Sequence, residues 1–451
     1  MARRPVVLLH GYSDHAASFD AWRARLVDAG FDATTIHVGD FVSLSNEITI
    51  KDLAEGFDRA LRIRGGLDAG EPFDAIVHST GSLVLREWLA TYGARARRVK
   101  RLIGLAPANF GSPLAHKGAS WLGALFKGDK RLGPDFMEAG TRILDGLELG
   151  SRYTWQLAER DLVGDSPIYD TSDDTPFPFV IVGDEGYRGL RKLVNFDGGD
   201  GTVRWAGAAL NTRKILIDLT REPEDGVDRR VEIAPWANLD VPFAFARGHN
   251  HGSILREPSA ELTERVTAAL DVEDLAAYQA WTARHAWSLD DAKPHRWQQF
   301  VMRAVDVRGD PVPDWFLEVG SGNGAAFEPF DDFDLDVHPY GADPSYRCFH
   351  ADLGALRPER RESLVLRLTA RSGSELVAYH GVGSERFTAA GAATPGKNGV
   401  WDAWIDLTRL LADDGVRFFF PFTTTLVELR LNREPMPPAG VNRVLRFVER
   451  G

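Results

Sequence analysis

Phe73-Asp74-Ala75-Ile76-Val77-His78-Ser79-Thr80-Gly81 decides the fold. A short apolar run ends in His-Ser-Thr-Gly, and a helical pattern, Gly81 to Tyr92, starts at once. Strand, sharp turn and helix in direct succession would hold a serine in a strained conformation at the tip of a sheet. Small neighbours are required there because strand and helix approach closely. The helix N-terminus behind the serine favours negative charge. Val77 stands where the strict G-x-S-x-G pattern has its first glycine. The plainer alternative is a serine that caps a helix.

Around this stretch, short apolar runs alternate with helical patterns. Pro5 to Leu9, Ala33 to Val38, Leu102 to Ala106 and Phe177 to Val182 read as strands. Phe19 to Ala29 and Lys51 to Ile63 carry apolar residues at helical spacing. Such alternation predicts an α/β fold, a parallel sheet with helices on both faces. Ile215 to Leu219 is expected to extend that sheet, and Glu257 to Leu270 to close it as a helix with Pro258 in its first turn.

Three further stretches fit a serine nucleophile. Leu8-Leu9-His10-Gly11-Tyr12 ends a strand in a turn. A tetrahedral oxyanion needs preorganised N–H donors, and the backbone N–H groups of Tyr12 and Thr80 are the candidates. Gly248-His249-Asn250-His251-Gly252 offers a general base, with His251 preferred and His249 the alternative. The acid should lie between serine and histidine in this chain order. Asn195-Phe196-Asp197-Gly198-Gly199-Asp200-Gly201-Thr202-Val203 offers Asp200, with Asp197 its near rival and Asp184 a weaker one.

Together, His10-Gly11-Tyr12, His78-Ser79-Thr80-Gly81, Asp200-Gly201-Thr202-Val203 and Asn250-His251-Gly252 resemble the α/β-hydrolase superfamily, its bacterial lipase and esterase branch in particular. Ala106-Pro107-Ala108-Asn109-Phe110-Gly111-Ser112-Pro113 looks like the stretch that follows the next strand in many bacterial lipases, though Ala108-Asn109 stands where many carry Pro-His. The likeness covers roughly residues 5–270 and suggests a reduced sheet that opens directly on the His-Gly strand. It implies a serine carboxylic-ester hydrolase, of carboxylesterase or triacylglycerol lipase type. Ser79, Asp200 and His251 would form its triad and an acyl-enzyme its intermediate. An acyltransferase or thioesterase using the same triad is the alternative chemistry, and an inactive hydrolase-like binding module the alternative class. The substrate would be a small-molecule or lipidic ester, and no cofactor is required.

Residues 110–175, between two strands, read as a helical cap or lid insertion. Leu114, Trp121, Leu122, Leu125 and Phe126 could form one apolar face covering the acyl site. With His10 and His78 they are the candidate substrate-binding residues. Packing into the core is the other fate of such a stripe.

The remainder reads differently. Phe300 to Val307, Trp315 to Val319, Leu364-Leu366-Leu368 and Val427-Leu429-Leu431 have the period of half-buried strands, separated by Gly, Pro and Asp clusters. That predicts a C-terminal antiparallel β-sandwich. The expected division is 1–275 catalytic domain, 276–295 linker and 296–451 accessory domain. Gly320-Ser321-Gly322-Asn323-Gly324 imitates a cofactor-binding glycine loop, but Pro329 and an Asp run follow where a helix must begin, so it reads as a hairpin turn. Asp331, Asp332, Asp334 and Asp336 could hold calcium, but their alternation with Phe333, Leu335 and Val337 favours an exposed strand.

The 451 residues exceed the usual domain size. Hydrophobic residues make up 44% and charged residues 26%, an ordinary globular balance. A net charge of −12 disfavours a nucleic-acid partner. The one cysteine, Cys348, excludes an intramolecular disulfide. No apolar run reads as a membrane span or a signal-peptide core, so the expected location is cytoplasmic.

Overall fold

The structure is a computed structural model. It describes residues 3–10, 16–37, 48–63, 66–67, 70–93, 98–115, 141–165, 167–171, 176–221, 230–234, 240–288, 296–322, 326–330, 335–357, 361–374, 377–381, 400–412 and 418–435. The chain forms two compact units. The first comprises Met1–Thr212, Trp236–Gln299 and Pro421–Thr424; the second comprises Arg213–Pro235, Phe300–Phe420 and Thr425–Gly451.

The first unit is built on a parallel sheet. Its early elements are β1 (Val6–His10), α1 (Asp20–Asp28), β2 (Ala33–His37) and α2 (Ile50–Ile63). Then come β3 (Phe73–His78), α3 (Gly81–Trp88), β4 (Val99–Leu105) and β5 (Phe177–Gly183). Two strands, β6 (Thr212–Asp218) and β7 (Val231–Ile233), then belong to another sheet, and β8 (Phe243–Ala246) completes the first. The order is β2-β1-β3-β4-β5-β8, with every pairing parallel. Strands β1, β3 and β5 are mostly apolar and buried throughout, as central strands covered on both faces must be. Between β4 and β5 the described residues include two helices, Thr141–Leu147 and Arg152–Asp161. Leu275–His285 is also a helix, with Tyr278 and Trp281 buried.

The second unit is β-rich. Its remaining strands are β9 (Trp297–Asp306), β10 (Asp314–Ser321), β11 (Glu328–Pro329), β12 (Leu335–Pro339) and β13 (Tyr346–Asp352). After them come β14 (Val365–Arg371), β15 (Val377–His380), β16 (Val400–Asp406) and β17 (Thr424–Pro435). One sheet runs β11-β10-β14-β16. The other runs β12-β13-β9-β17-β6-β7, with β15 also on β17. Residues of both sheets, among them Ile217, Met302, Leu366, Leu368, Trp401, Leu429 and Leu431, share one apolar core. The strand at Ile215–Leu219 therefore does not extend the parallel sheet: it forms as β6, antiparallel to β7. Its alternating burial suits any half-covered sheet, so the run itself does not say which sheet takes it. Gly320 and Ser321 of the glycine stretch pair antiparallel with Pro329 and Glu328, while Asn323 and Gly324 lie outside the described residues.

Candidate active site

The site lies at the carboxyl ends of the parallel strands, where ligands bind in open α/β sheets. Strand β3 delivers Ser79 in a left-handed conformation, φ 53°, unusual for a residue with a side chain. Helix α3 follows at once: the Ser82 amide and hydroxyl both donate to the Ser79 carbonyl, at 3.2 and 2.9 Å. The Ala108 amide donates to the same oxygen at 3.1 Å. Gly81 is required by close approach, because a Cβ there would stand 2.5 Å from the Leu9 carbonyl oxygen of β1. The serine thus sits in the tight strand–turn–helix junction anticipated from its neighbours. Val77 does not prevent it; its side chain is wholly buried.

Asp200 and His251 are brought together. Both are completely buried, and His251 Nδ1 lies 3.0 Å from Asp200 Oδ2. The other carboxylate oxygen accepts from the amides of Thr202 (3.0 Å) and Val203 (2.9 Å). The His251 amide also donates to the Asp200 carbonyl, at 3.1 Å. A carboxylate so supplied with donors is held as an acceptor. It therefore accepts the hydrogen bond of His251 Nδ1–H, so that in the neutral ring the lone pair lies on Nε2. That is the tautomer a general base needs.

The rivals are placed elsewhere. Asp197 is exposed. Asp184 Oδ1 accepts from the Gly248 amide at 2.7 Å, fastening the start of the histidine loop. His249 contributes its carbonyl to the Glu185 amide at 3.0 Å. At the entry to the short helix Ser253–Arg256, Asn250 Oδ1 accepts from the Gly252 and Ser253 amides at 3.0 and 2.9 Å.

His78 links the two halves. Its Nε2 lies 3.0 Å from the His251 carbonyl oxygen, and the two rings are 4.7 Å apart. Because Ser79 is the next residue, with its Cα about 3.8 Å from that of His78, nucleophile and base candidates share one neighbourhood. Burial, then the charges that His251, His10 and Arg256 would carry, hold the His78 imidazole well below the ordinary histidine range; the bond to the His251 carbonyl opposes this without prevailing. His10 is fully buried at the end of β1, its ring 6.3 Å from that of Phe19. Thr80 is buried at the entry to α3. Tyr12, Trp121, Leu122, Leu125 and Phe126 lie outside the described residues, as do Asp331, Asp332 and Asp334. Leu114 is fully buried. Among the described residues no cluster of three or more His, Cys, Asp or Glu could hold a metal ion, and no helix is long and apolar enough to cross a membrane.

Two supports were not anticipated. Ser112 donates to the Thr202 carbonyl at 2.5 Å, and the Tyr187 hydroxyl pairs with the Thr202 hydroxyl at 2.9 Å, so the turn carrying Asp200 is braced from two sides. Asn109 Nδ2 donates to the Ala208 carbonyl at 2.6 Å, tying the Ala106–Pro113 stretch to the segment beyond that turn. Ser112 and Asn109 stood in a recognised motif, but which turn they brace is set by tertiary packing.

No protein-family profile and no curated protein matches the chain. Among solved structures, phospholipase PlaB from Legionella pneumophila in complex with thio-NAD is similar over 98% of this chain and 96% of that one, at 23% identity and a TM-score of 0.72. A second structure of the same phospholipase has 22% identity, the same coverage and the same TM-score. The mature lipase BlEst2 from Bacillus licheniformis is 19% identical over 60% of this chain and 93% of that one, with a TM-score of 0.39. The full-length likeness to PlaB shows a shared fold, that of an α/β-hydrolase with a β-rich second unit.

Proposed function

From an α/β-hydrolase fold that carries a strained serine beside a buried Asp–His pair, we propose that the chain is a serine hydrolase of carboxylic esters. Ser79 Oγ attacks the ester carbonyl. His251 Nε2 takes its proton, and Asp200 stabilises the resulting imidazolium. The Thr80 amide, at the entry to α3, donates to the oxyanion, aided by the positive end of that helix. His251 returns the proton to the departing alcohol, leaving an acyl group on Ser79. Water, activated by the same histidine, then releases the acid.

The observation that carries the reading is the Asp200–His251 pair. Its geometry fixes the base tautomer, and its loop is hydrogen-bonded to the residue beside Ser79. Lipidic esters are the proposed substrates. One enzyme similar over 98% of this chain is a phospholipase, which makes glycerophospholipids the first to test.

A fluorophosphonate probe should label the wild type once, at Ser79. Ser79→Ala should abolish both labelling and hydrolysis of a short-chain p-nitrophenyl ester. Labelling that survives Ser79→Ala overturns the assignment. Phospholipid vesicles, emulsified triacylglycerol and soluble esters assayed side by side then define the substrate class.

A further inference from the structure

We infer that His78 is a positioning residue: its ring holds the backbone of the His251 loop and couples the general base to the residue pair that carries the nucleophile. The inference rests on the assignment of Ser79 and His251 given above and concerns how the two are kept in register. Its basis is directional. A carbonyl oxygen can only accept, so the contact between His78 Nε2 and the His251 oxygen, 3.0 Å, places the proton on His78 Nε2. His78 Nδ1 is then a bare acceptor, buried, with no hydrogen-bond partner among the described residues. The ring is only 1% exposed.

On stability alone, a buried imidazole with one unfilled acceptor is a poor choice. Leaving a buried polar atom unsatisfied destabilises the fold, and an apolar side chain would avoid that. What the histidine supplies in return is a single N–H aimed at the residue that bears the base. That bond completes the fixing of His251. Its amide donates to the Asp200 carbonyl, its ring donates to the Asp200 carboxylate, and its own carbonyl is held by His78. Without the last bond, the peptide after His251 is held only through the Gly252 amide, which donates to Asn250 Oδ1 at 3.0 Å, while the ring stays paired with Asp200.

The ring must also stay neutral. An imidazolium at His78 would have no proton-free nitrogen and would stand 4.7 Å from the ring that must itself become charged during the reaction. The groups that act on it are His251, His10 and Arg256, and each, when charged, disfavours a charge on His78. A donor that stays neutral is therefore compatible with a base that cycles through its cation.

The test compares two variants of equal length, His78→Gln and His78→Met, in the full chain. Only glutamine can donate to the His251 carbonyl. Active serines are titrated with the fluorophosphonate probe, and kcat and KM for a soluble p-nitrophenyl ester are expressed per titrated serine across pH. His78→Met should lower kcat per titrated serine by about 10²-fold, the loss expected from a misplacement near 1 Å. KM should change little, and the acidic limb of the pH profile, which reports protonation of the base, should move. His78→Gln should recover most of kcat and the wild-type profile. A merely structural histidine would reduce the number of titratable serines and leave kcat per serine unchanged.

Equal kcat in His78→Met and wild type overturns the inference, as does a glutamine variant as slow as the methionine one. If the methionine variant does not fold, the glutamine variant decides alone: near-wild-type turnover supports the inference, and a 10²-fold loss overturns it. A wild type that is not labelled at Ser79 would instead overturn the assignment of the nucleophile, so the two failures are distinct.

Discussion

Asp200 is completely buried, and both of its carboxylate oxygens meet N–H donors, two backbone amides on one side and the His251 ring on the other. Asparagine in its place keeps the volume but brings an NH2 group into a setting built only for acceptors. If that group faces the amides of Thr202 and Val203, donor opposes donor. If it faces His251, it must be accepted by Nδ1, which moves the ring proton to Nε2 and removes the lone pair that takes the serine proton. Asp200→Asn should therefore fold and bind ester but lose about 10⁴-fold in kcat, measured per titrated serine. A loss below about tenfold would show that the buried pair does not set the tautomer. The carboxylate was legible in the sequence as one of three acids, because chain order requires the acid between serine and histidine. Choosing among Asp184, Asp197 and Asp200 required the fold. Local glycines give both Asp197 and Asp200 the freedom to turn, and only the tertiary placement of His251 separates them.

At the scale of elements, α3 is unusual because every residue from Gly81 to Trp88 is buried, two charged ones included. Arg86 meets Asp161 of the helix Arg152–Asp161 through two bonds, Nε to Oδ2 at 2.7 Å and Nη2 to Oδ1 at 2.9 Å. Its third donor reaches the Asn109 carbonyl at 2.7 Å. Tyr153 of the same helix donates to Glu87 at 3.1 Å. The segment between β4 and β5 is thus fastened to the helix that begins behind Ser79. Burial above all, with a smaller push from Glu87, moves the Asp161 carboxyl upward, and the guanidinium of Arg86 works against it. Arg86→Met would strand that carboxylate and should cost about 3–5 kcal/mol. The double variant Arg86→Met/Asp161→Leu replaces the pair with apolar groups and should regain most of the loss. Urea melts of the three proteins check this. A double variant no more stable than the single one would mean that the Asn109 bond, not the ion pair, is what stabilises the junction. The strands of the parallel sheet were readable because continuous apolar runs leave few alternatives. The Arg86–Asp161 link was not, because its partners are distant in sequence and a charged residue on a helix ordinarily signals a solvated face.

At the scale of the whole molecule, the two units are interleaved in sequence. Residues 213–235 belong to the β-rich unit although the catalytic candidates lie on both sides of them, and 421–424 belong to the hydrolase unit although strands of the other unit precede and follow. Composition could not show this, since an apolar strand such as Ile215–Leu219 fits either core. The consequence is that no single cut separates the units. A fragment ending at residue 295 keeps Ile215, Ile217, Leu219 and Val231, which pack in the core of the unit it has lost. It also loses Phe422, whose ring stacks on Phe243 at 4.4 Å and meets Phe245 and Trp287 edge-on at 5.4 and 4.8 Å, all within the hydrolase unit. Removing one such aromatic from a core costs about 3–5 kcal/mol, a large share of the about 5–15 kcal/mol that stabilises a typical protein. The fragment should therefore be insoluble or melt without cooperativity, and the full chain carrying Phe422→Ala should fold with a clearly lowered melting temperature. A 1–295 fragment that melts cooperatively, and turns over ester per titrated serine as the full chain does, would show that the hydrolase unit is complete without the segments returned to it from the far end of the chain.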